Sequence, residues 1–163
     1  MTASKRMIEL EGVLNDFGHD VRVPEYIREY AQLQTQEEMH IASSRNKHKF
    51  DLMKKNNEHV LWANALLVAN EDTRNDTPFY IGGNTFGEMY LAYDAGKIIY
   101  LMKGIPEMGY TDEIRAMKPV ELNGNLDCFR KLNVVNLEQK PMERLHFQPF
   151  SRKVYVLPQN VGL

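Results

Sequence analysis

The segment YIGGNTFGEMYLAYDAGKIIYL, Tyr80 to Leu101, places an acid, a glycine pair and an Asn-Thr pair at the approach to one helix. Two chemistries fit that spacing. In the structural one, Thr85-Phe-Gly-Glu88 is a capping box: the Thr85 hydroxyl takes one orphan amide and the Glu88 carboxylate reaches back to another. Gly82 and Gly83 then only turn the chain after Tyr80. In the catalytic one, helix N-terminal amides receive an anionic or hydroxyl-rich ligand, and glycines admit close approach. Glu88 then attacks an anomeric carbon and holds a covalent glycosyl intermediate, as retaining glycoside chemistry requires. A second polar group must orient the sugar or help the base depart, and Asp51 is the candidate. Asp51 also reads as an exposed helix-surface acid with an i,i+4 partner in Lys55.

The elements that must position these residues follow from periodicity. Met7, Leu10, Val13, Leu14 and Phe17 form one apolar helical stripe, with Thr2 or Ser4 as its cap and Gly18 as its left-handed stop. Asp20–Val23 reads as a short strand ending at Pro24, and residues 25–62 as two helices broken near Gln34–Gln36. Ala65–Ala69 is apolar without alternation, which suits a strand buried on both faces. A polar loop, Asn70–Pro78, leads to the Tyr80–Asn84 turn and a helix to Ala95. Strand Ile98–Met102, loop Gly104–Glu107, helix Asp112–Met117 and strand Pro119–Leu122 complete the run. This alternation predicts a single-domain α/β fold, a flavodoxin or Rossmann-like three-layer sandwich around a parallel sheet. Ligands of such sheets bind at the carboxyl ends of the strands, here Pro24–Tyr26, Asn70–Asn84, Lys103–Met108 and Asn123–Asn125.

Composition narrows the partners. The chain has 163 residues, enough for one real core, and a formal net charge of −2 that gives no reason to expect nucleic acid. The cationic clusters Arg45–Lys49 and Lys54-Lys55 read as a solvated helix face. One cysteine, Cys128, excludes an internal disulfide and a CxxC site. The 5 histidines have no metal-ligand spacing, so no metal is expected. No apolar run approaches the ~18 residues of a membrane span, and the N-terminus lacks a signal-like core, so the expected location is cytoplasmic, away from membranes.

The segments FGHDVRVP, KHKFDLMKK and WANALLVAN, together with YIGGNTFGEMYLAYDAGKIIYL running on into IPEMGYTDEIRAMKPVELNG, resemble the nucleoside 2-deoxyribosyltransferase-like family. That superfamily includes deoxynucleoside 5′-monophosphate N-glycosidases. The resemblance covers most of residues 5–126, and the last segment is the most specific: its glycines, Glu88, Ala92 and Gly96-Lys97 hold their places. It implies that Glu88 is the nucleophile at C1′ and that Asp51 lies beside the sugar and base. Asn84 and Thr85 would contact the sugar or phosphate, and Tyr80 would wall the pocket. The substrate would be a nucleoside or nucleotide, the cofactors none, and the assembly a homodimer or larger, because family sites commonly borrow residues from a neighbour. Carboxylates stabilise the oxocarbenium-like transition state, so the reaction needs no cofactor.

The chain departs from the family twice. Ala63-Asn64 stands where the family often has Ala-Asp, and the chain starts directly in the first helix, without the preceding strand and glycine-containing loop. That strand belongs in the middle of the sheet, where a gap would orphan two rows of backbone groups. The segment Arg152–Leu157, followed by Pro158-Gln-Asn-Val-Gly162, has the composition to fill it. Residues 1–126 are thus expected to form the core and 127–163 an extension whose strand fills the missing first-strand position, in its own subunit or in a neighbour. The alternative is an edge strand or surface arm. With the position filled, Asn160 and Gly162 approach the ligand and Tyr155 stays a buried strand residue. Rival functions are a nucleotide-binding module without turnover and an assembly protein whose C-terminal arm holds a homo-oligomer.

Overall fold

Five strands run parallel in one sheet in the computed structural model, which describes residues 3–33, 35, 37, 38, 41, 42, 52–74, 76–130 and 153–159. They are β1 (Asp20–Arg22), β2 (Ala65–Ala69), β3 (Ile98–Leu101), β4 (Val120–Glu121) and β5 (Lys153–Pro158), in the spatial order β1-β5-β2-β3-β4. Counted from β5, this is the flavodoxin-like order 2-1-3-4-5. The last strand in the chain therefore takes the place of the first, within the same chain, and the surface-arm alternative is overturned. The reason is burial: Val154, Tyr155, Val156 and Leu157 are each 0% exposed, and only a central strand hides an unbroken apolar run on both faces. Its register sets Tyr155 opposite Arg22 of β1 on one side and Leu66 of β2 on the other.

Helices cover both faces. They are α1 (Ala3–Asp16), α2 (Ile27–Tyr30), α3 (Leu52–Trp62), α4 (Gly83–Asp94), α5 (Thr111–Ala116) and α6 (Asp127–Arg130). On one face, Met7, Leu10 and Leu14 of α1 and Phe129 of α6 pack on Val21, Leu67, Tyr100, Val154 and Val156. On the other, Val60 of α3, Met89 and Ala92 of α4 and Ile114 of α5 pack on Leu66, Val68, Leu101, Tyr155 and Leu157. Burying each such side chain contributes about 1.5–3 kcal/mol. The extension expected from residue 127 contributes Phe129 and β5 to these same two cores.

The local signals have mixed outcomes. Gly18 stops α1 with φ 87°, as the left-handed C-cap demands. Ser4 lies inside α1 and does not cap it, while Thr2 falls outside the described residues. A reciprocal capping box does exist, at Thr35 and Glu38: the Thr35 amide donates to the Glu38 carboxylate at 3.0 Å, and the Glu38 amide to the Thr35 hydroxyl at 3.2 Å.

Candidate functional site

α4 begins where β5 ends. Gly82 precedes its first turn, and the Gly82 amide donates to the Gln159 carbonyl at 2.6 Å. Gly82 has φ −73°, an ordinary value, so its backbone conformation does not demand glycine, and a Cβ at Gly83 would meet nothing within 4 Å. Asn84 is half-buried in the first turn. Thr85 lies inside the helix, fully buried, and its hydroxyl donates to the Pro158 carbonyl at 2.8 Å. The expected capping box at Thr85 and Glu88 is therefore overturned. Because Gly82 docks on the end of β5, the helix starts before Thr85, whose hydroxyl is drawn under Pro158 instead of toward an orphan amide.

Glu88 does not cap either. It sits in the second turn of α4, 6% exposed, and its Oε1 accepts from Asn56 Nδ2 of α3 at 2.7 Å. Its Oε2 has no hydrogen-bond partner among the described residues. Burial pushes the carboxyl up to about 7, and the Asn56 hydrogen bond pulls the other way. α3 thus brings Asn56 to Glu88; Asp51, expected beside the sugar and base, lies outside the described residues, as do Asn160 and Gly162.

Further polar groups gather around Glu88. Tyr26, just past β1, and Tyr155, in the middle of β5, are both buried, and neither hydroxyl has a hydrogen-bond partner among the described residues. Burial raises both phenols above their ordinary range, and the nearby Glu88 carboxylate adds to the effect. The Tyr26 hydroxyl lies beside the Asn56 side chain but outside hydrogen-bonding geometry. His59, one turn after Asn56 on α3, stacks at 5.2 Å on the Tyr155 ring, and its buried Nε2 is also without a partner. Its Nδ1 faces Arg22 Nη1 at 3.4 Å. Burial, then Arg22, lowers the imidazole from its usual range, against the pull of Glu25 and Glu58.

A second polar region frames the carboxyl edge. Asn70, at the end of β2, donates to the carbonyls of Gly104 at 2.9 Å and Phe79 at 3.4 Å, and accepts from the Lys103 amide at 3.0 Å. Gln159 accepts from the Asp72 amide at 2.7 Å and donates to its carbonyl at 3.4 Å. Tyr80 is half-buried; its ring lies 5.6 Å from the Arg74 guanidinium, and its side chain meets Tyr110, whose hydroxyl donates to the Ile81 carbonyl. Tyr80 is therefore part of the carboxyl-edge wall, whereas Tyr26, Asn56 and Tyr155 are residues near Glu88 that local sequence reading did not select, with His59 stacked on Tyr155. For Asn56 a signal existed: it shares the buried face of α3 with Val60, four residues on.

A cleft of about 340 Å³ runs along β1, lined by Val21, Arg22, Val23, Pro24 and Glu25 together with Glu11, Arg28 and His59. Glu88 is not among its lining residues. Three of its charges are paired, Arg28 with Glu11 at 2.9 Å and Glu25 with Lys55 at 2.6 Å, while Arg22 stacks 3.8 Å over the Trp62 ring. Among the described residues, no group of His, Cys, Asp or Glu could hold a metal ion, and no helix is long and apolar enough to cross a membrane. Compared with protein-family models, with curated proteins and with solved structures, the chain matches none.

Proposed function

We propose that the protein cleaves or exchanges the N-glycosidic bond of a 2′-deoxynucleoside or its 5′-monophosphate, as a member of the nucleoside 2-deoxyribosyltransferase-like family. The observation that supports this is Glu88 itself: a buried carboxyl at the carboxyl end of the central strand, with one oxygen held by Asn56 and the other uncommitted. A helix-surface or capping acid would be solvated or bonded to backbone amides. In the proposed cycle the free Glu88 oxygen attacks C1′, and the base leaves with the electrons of the glycosidic bond and takes up a proton. Water or a second base then takes the glycosyl group, which frees Glu88. Asn56 fixes the carboxylate so that little reorganisation is needed at the reacting carbon. The nucleophile must be ionised, so turnover rises with pH as Glu88 loses its proton, a step that burial moves toward about 7. Assembly into at least a dimer and a cytoplasmic location belong to the same reading.

Base release from a panel of 2′-deoxynucleosides and their 5′-monophosphates, followed by chromatography with and without an acceptor base, tests it. Wild type releases or exchanges base, and Glu88→Gln loses this by about a thousandfold or more, the scale on which nucleophile removal acts. The second reading, a nucleotide-binding module without turnover, is favoured by the cleft that Glu88 does not line. Ligand binding by calorimetry with no base release from wild type would establish that reading instead.

A further inference from the structure

The cleft along β1 keeps one cation uncommitted. Glu11 is taken by Arg28, whose Nη2 reaches both carboxylate oxygens at 2.9 and 3.0 Å, and Glu25 is taken by Lys55 at 2.6 Å. Arg22 lines the same cleft but pairs with no carboxylate among the described residues. Its guanidinium instead lies 3.8 Å over the Trp62 ring and sets Nη1 3.4 Å from His59 Nδ1. His59 lines the cleft too.

This arrangement suits an oxyanion. Stacking on an indole fixes the plane of a guanidinium and leaves its N–H edge to fork onto a phosphate or carboxylate. Arginine can only donate, so a neutral His59 accepts from it through Nδ1. A protonated ring would donate at that atom and repel Arg22. An anion seated between the two reverses the preference: it accepts from both, and the ring takes its extra proton from solvent. Val21, Val23 and Pro24 add an apolar stretch of wall, and a volume of about 340 Å³ falls in the size range of small-molecule sites. We propose that this cleft binds a small organic molecule by its oxyanion head, a phosphate or a carboxylate held between Arg22 and His59, with His59 gaining a proton as the ligand enters.

The groups facing His59 set its starting state. α3 contributes Lys55 and Glu58, β1 contributes Arg22, the turn after it Glu25, and β5 the Tyr155 ring at 5.2 Å. The Glu11–Arg28 pair stands elsewhere on the cleft wall. Burial, then Arg22, holds the imidazole below its usual range against Glu25 and Glu58, so the ring is neutral at pH 7 and has a proton to gain. Linkage makes the effect reciprocal: the anion raises the His59 midpoint, and acid tightens anion binding. Glu88 does not line the cleft, so the proposal is independent of the reaction assigned to that residue.

Nuclear magnetic resonance titration of the histidine ring protons, in sulfate against chloride at matched ionic strength, tests it. Sulfate stays fully ionised across the range, so only the protein titrates, and the His59 signal is the one absent from His59→Gln. Sulfate should raise the wild-type His59 midpoint by about one pH unit, the scale of a new opposite charge in contact. In Arg22→Gln the midpoint should start higher than in wild type and no longer respond to sulfate. Emission from Trp62, the one tryptophan of the chain, should change and saturate when phenyl phosphate or benzoate is added. Tighter binding of phenyl phosphate identifies a phosphate head, and tighter binding of benzoate a carboxylate. Equal wild-type midpoints in sulfate and chloride overturn the proposal. So does a shift shared equally by the other histidines, or one that persists in Arg22→Gln.

Discussion

Two buried polar regions lie on this one sheet and differ in how they are finished. Around Asn70 and Gln159, each side-chain amide meets backbone donors and acceptors, and Thr85 closes on Pro158. Around Glu88 and the Tyr155 ring, a carboxyl oxygen, two phenol hydroxyls and an imidazole nitrogen have no hydrogen-bond partner among the described residues. The first region ties together loops that leave the ends of β2, β3 and β5, so its value is structural and each bond is fixed within the chain. The second holds groups in reserve, at a cost in stability of about 1–3 kcal/mol per unsatisfied group unless something else bonds them. Proteins tolerate that cost chiefly where a ligand, water or substrate completes the set. The difference teaches which region to read as frame and which as site.

Substitution can break that distinction. Asn70→Ala should have the largest effect, a loss of about 4 kcal/mol in urea denaturation, because it leaves the Lys103 amide and Gly104 carbonyl bonded to nothing. Glu88→Gln should act in the opposite direction and with pH. The Glu88 carboxyl is raised in the folded state from 4.5 to about 7, so below pH 4.5 it is neutral in both states and carries no penalty. Between those values the unfolded chain ionises first and stability is lost as pH rises; above about 7 the penalty is complete. Thermal melts should therefore show Glu88→Gln more stable than wild type by up to about 3 kcal/mol at pH 8, and little changed at pH 4. A pH-independent difference would place Glu88 with the frame.

The smaller effects sharpen the same contrast. Thr85→Val keeps the shape and removes one buried bond to Pro158, and should cost about 1 kcal/mol in the same denaturation assay. Tyr155→Phe removes a buried hydroxyl with no hydrogen-bond partner among the described residues, and should not destabilise the protein in that assay, with a gain of up to about 1 kcal/mol. Were Tyr155→Phe to cost as much as Asn70→Ala, the two regions would not differ in kind.

Much of the frame was legible in the sequence because it rests on local pattern. The α1 stripe, the apolar run of β2 and the chain reversal at Gly18 each depend on a few neighbouring residues. The central position of β5 was legible for another reason: a strand missing from the middle of a sheet leaves unpaired backbone, and only one remaining segment could supply it. The site was less legible because it is made by register. Thr85-Phe-Gly-Glu88 has the letters of a capping box, and so does Thr35-Gln-Glu-Glu38, where the box forms; only the docking of Gly82 against Gln159 decides that α4 starts before Thr85. Asn56 meets Glu88 because α3 is rotated to bury Asn56 with Val60. Tyr26, His59 and Tyr155 come together only once β5 is paired beside β1, a relation between distant segments that no local window contains.

That pairing also sets an order of events in synthesis. Strands β1 to β4 leave the ribosome before β5, yet β1 has no neighbour but β5, and β2 needs β5 on its open side. Until then the chain carries a three-stranded half and a lone strand, with exposed edges on each that can recruit other chains. Closure joins residues far apart in sequence, such as Val21 and Val154, and long loops of this kind make folding slow. Until β5 has emerged and paired, the newly made protein should therefore depend on chaperones.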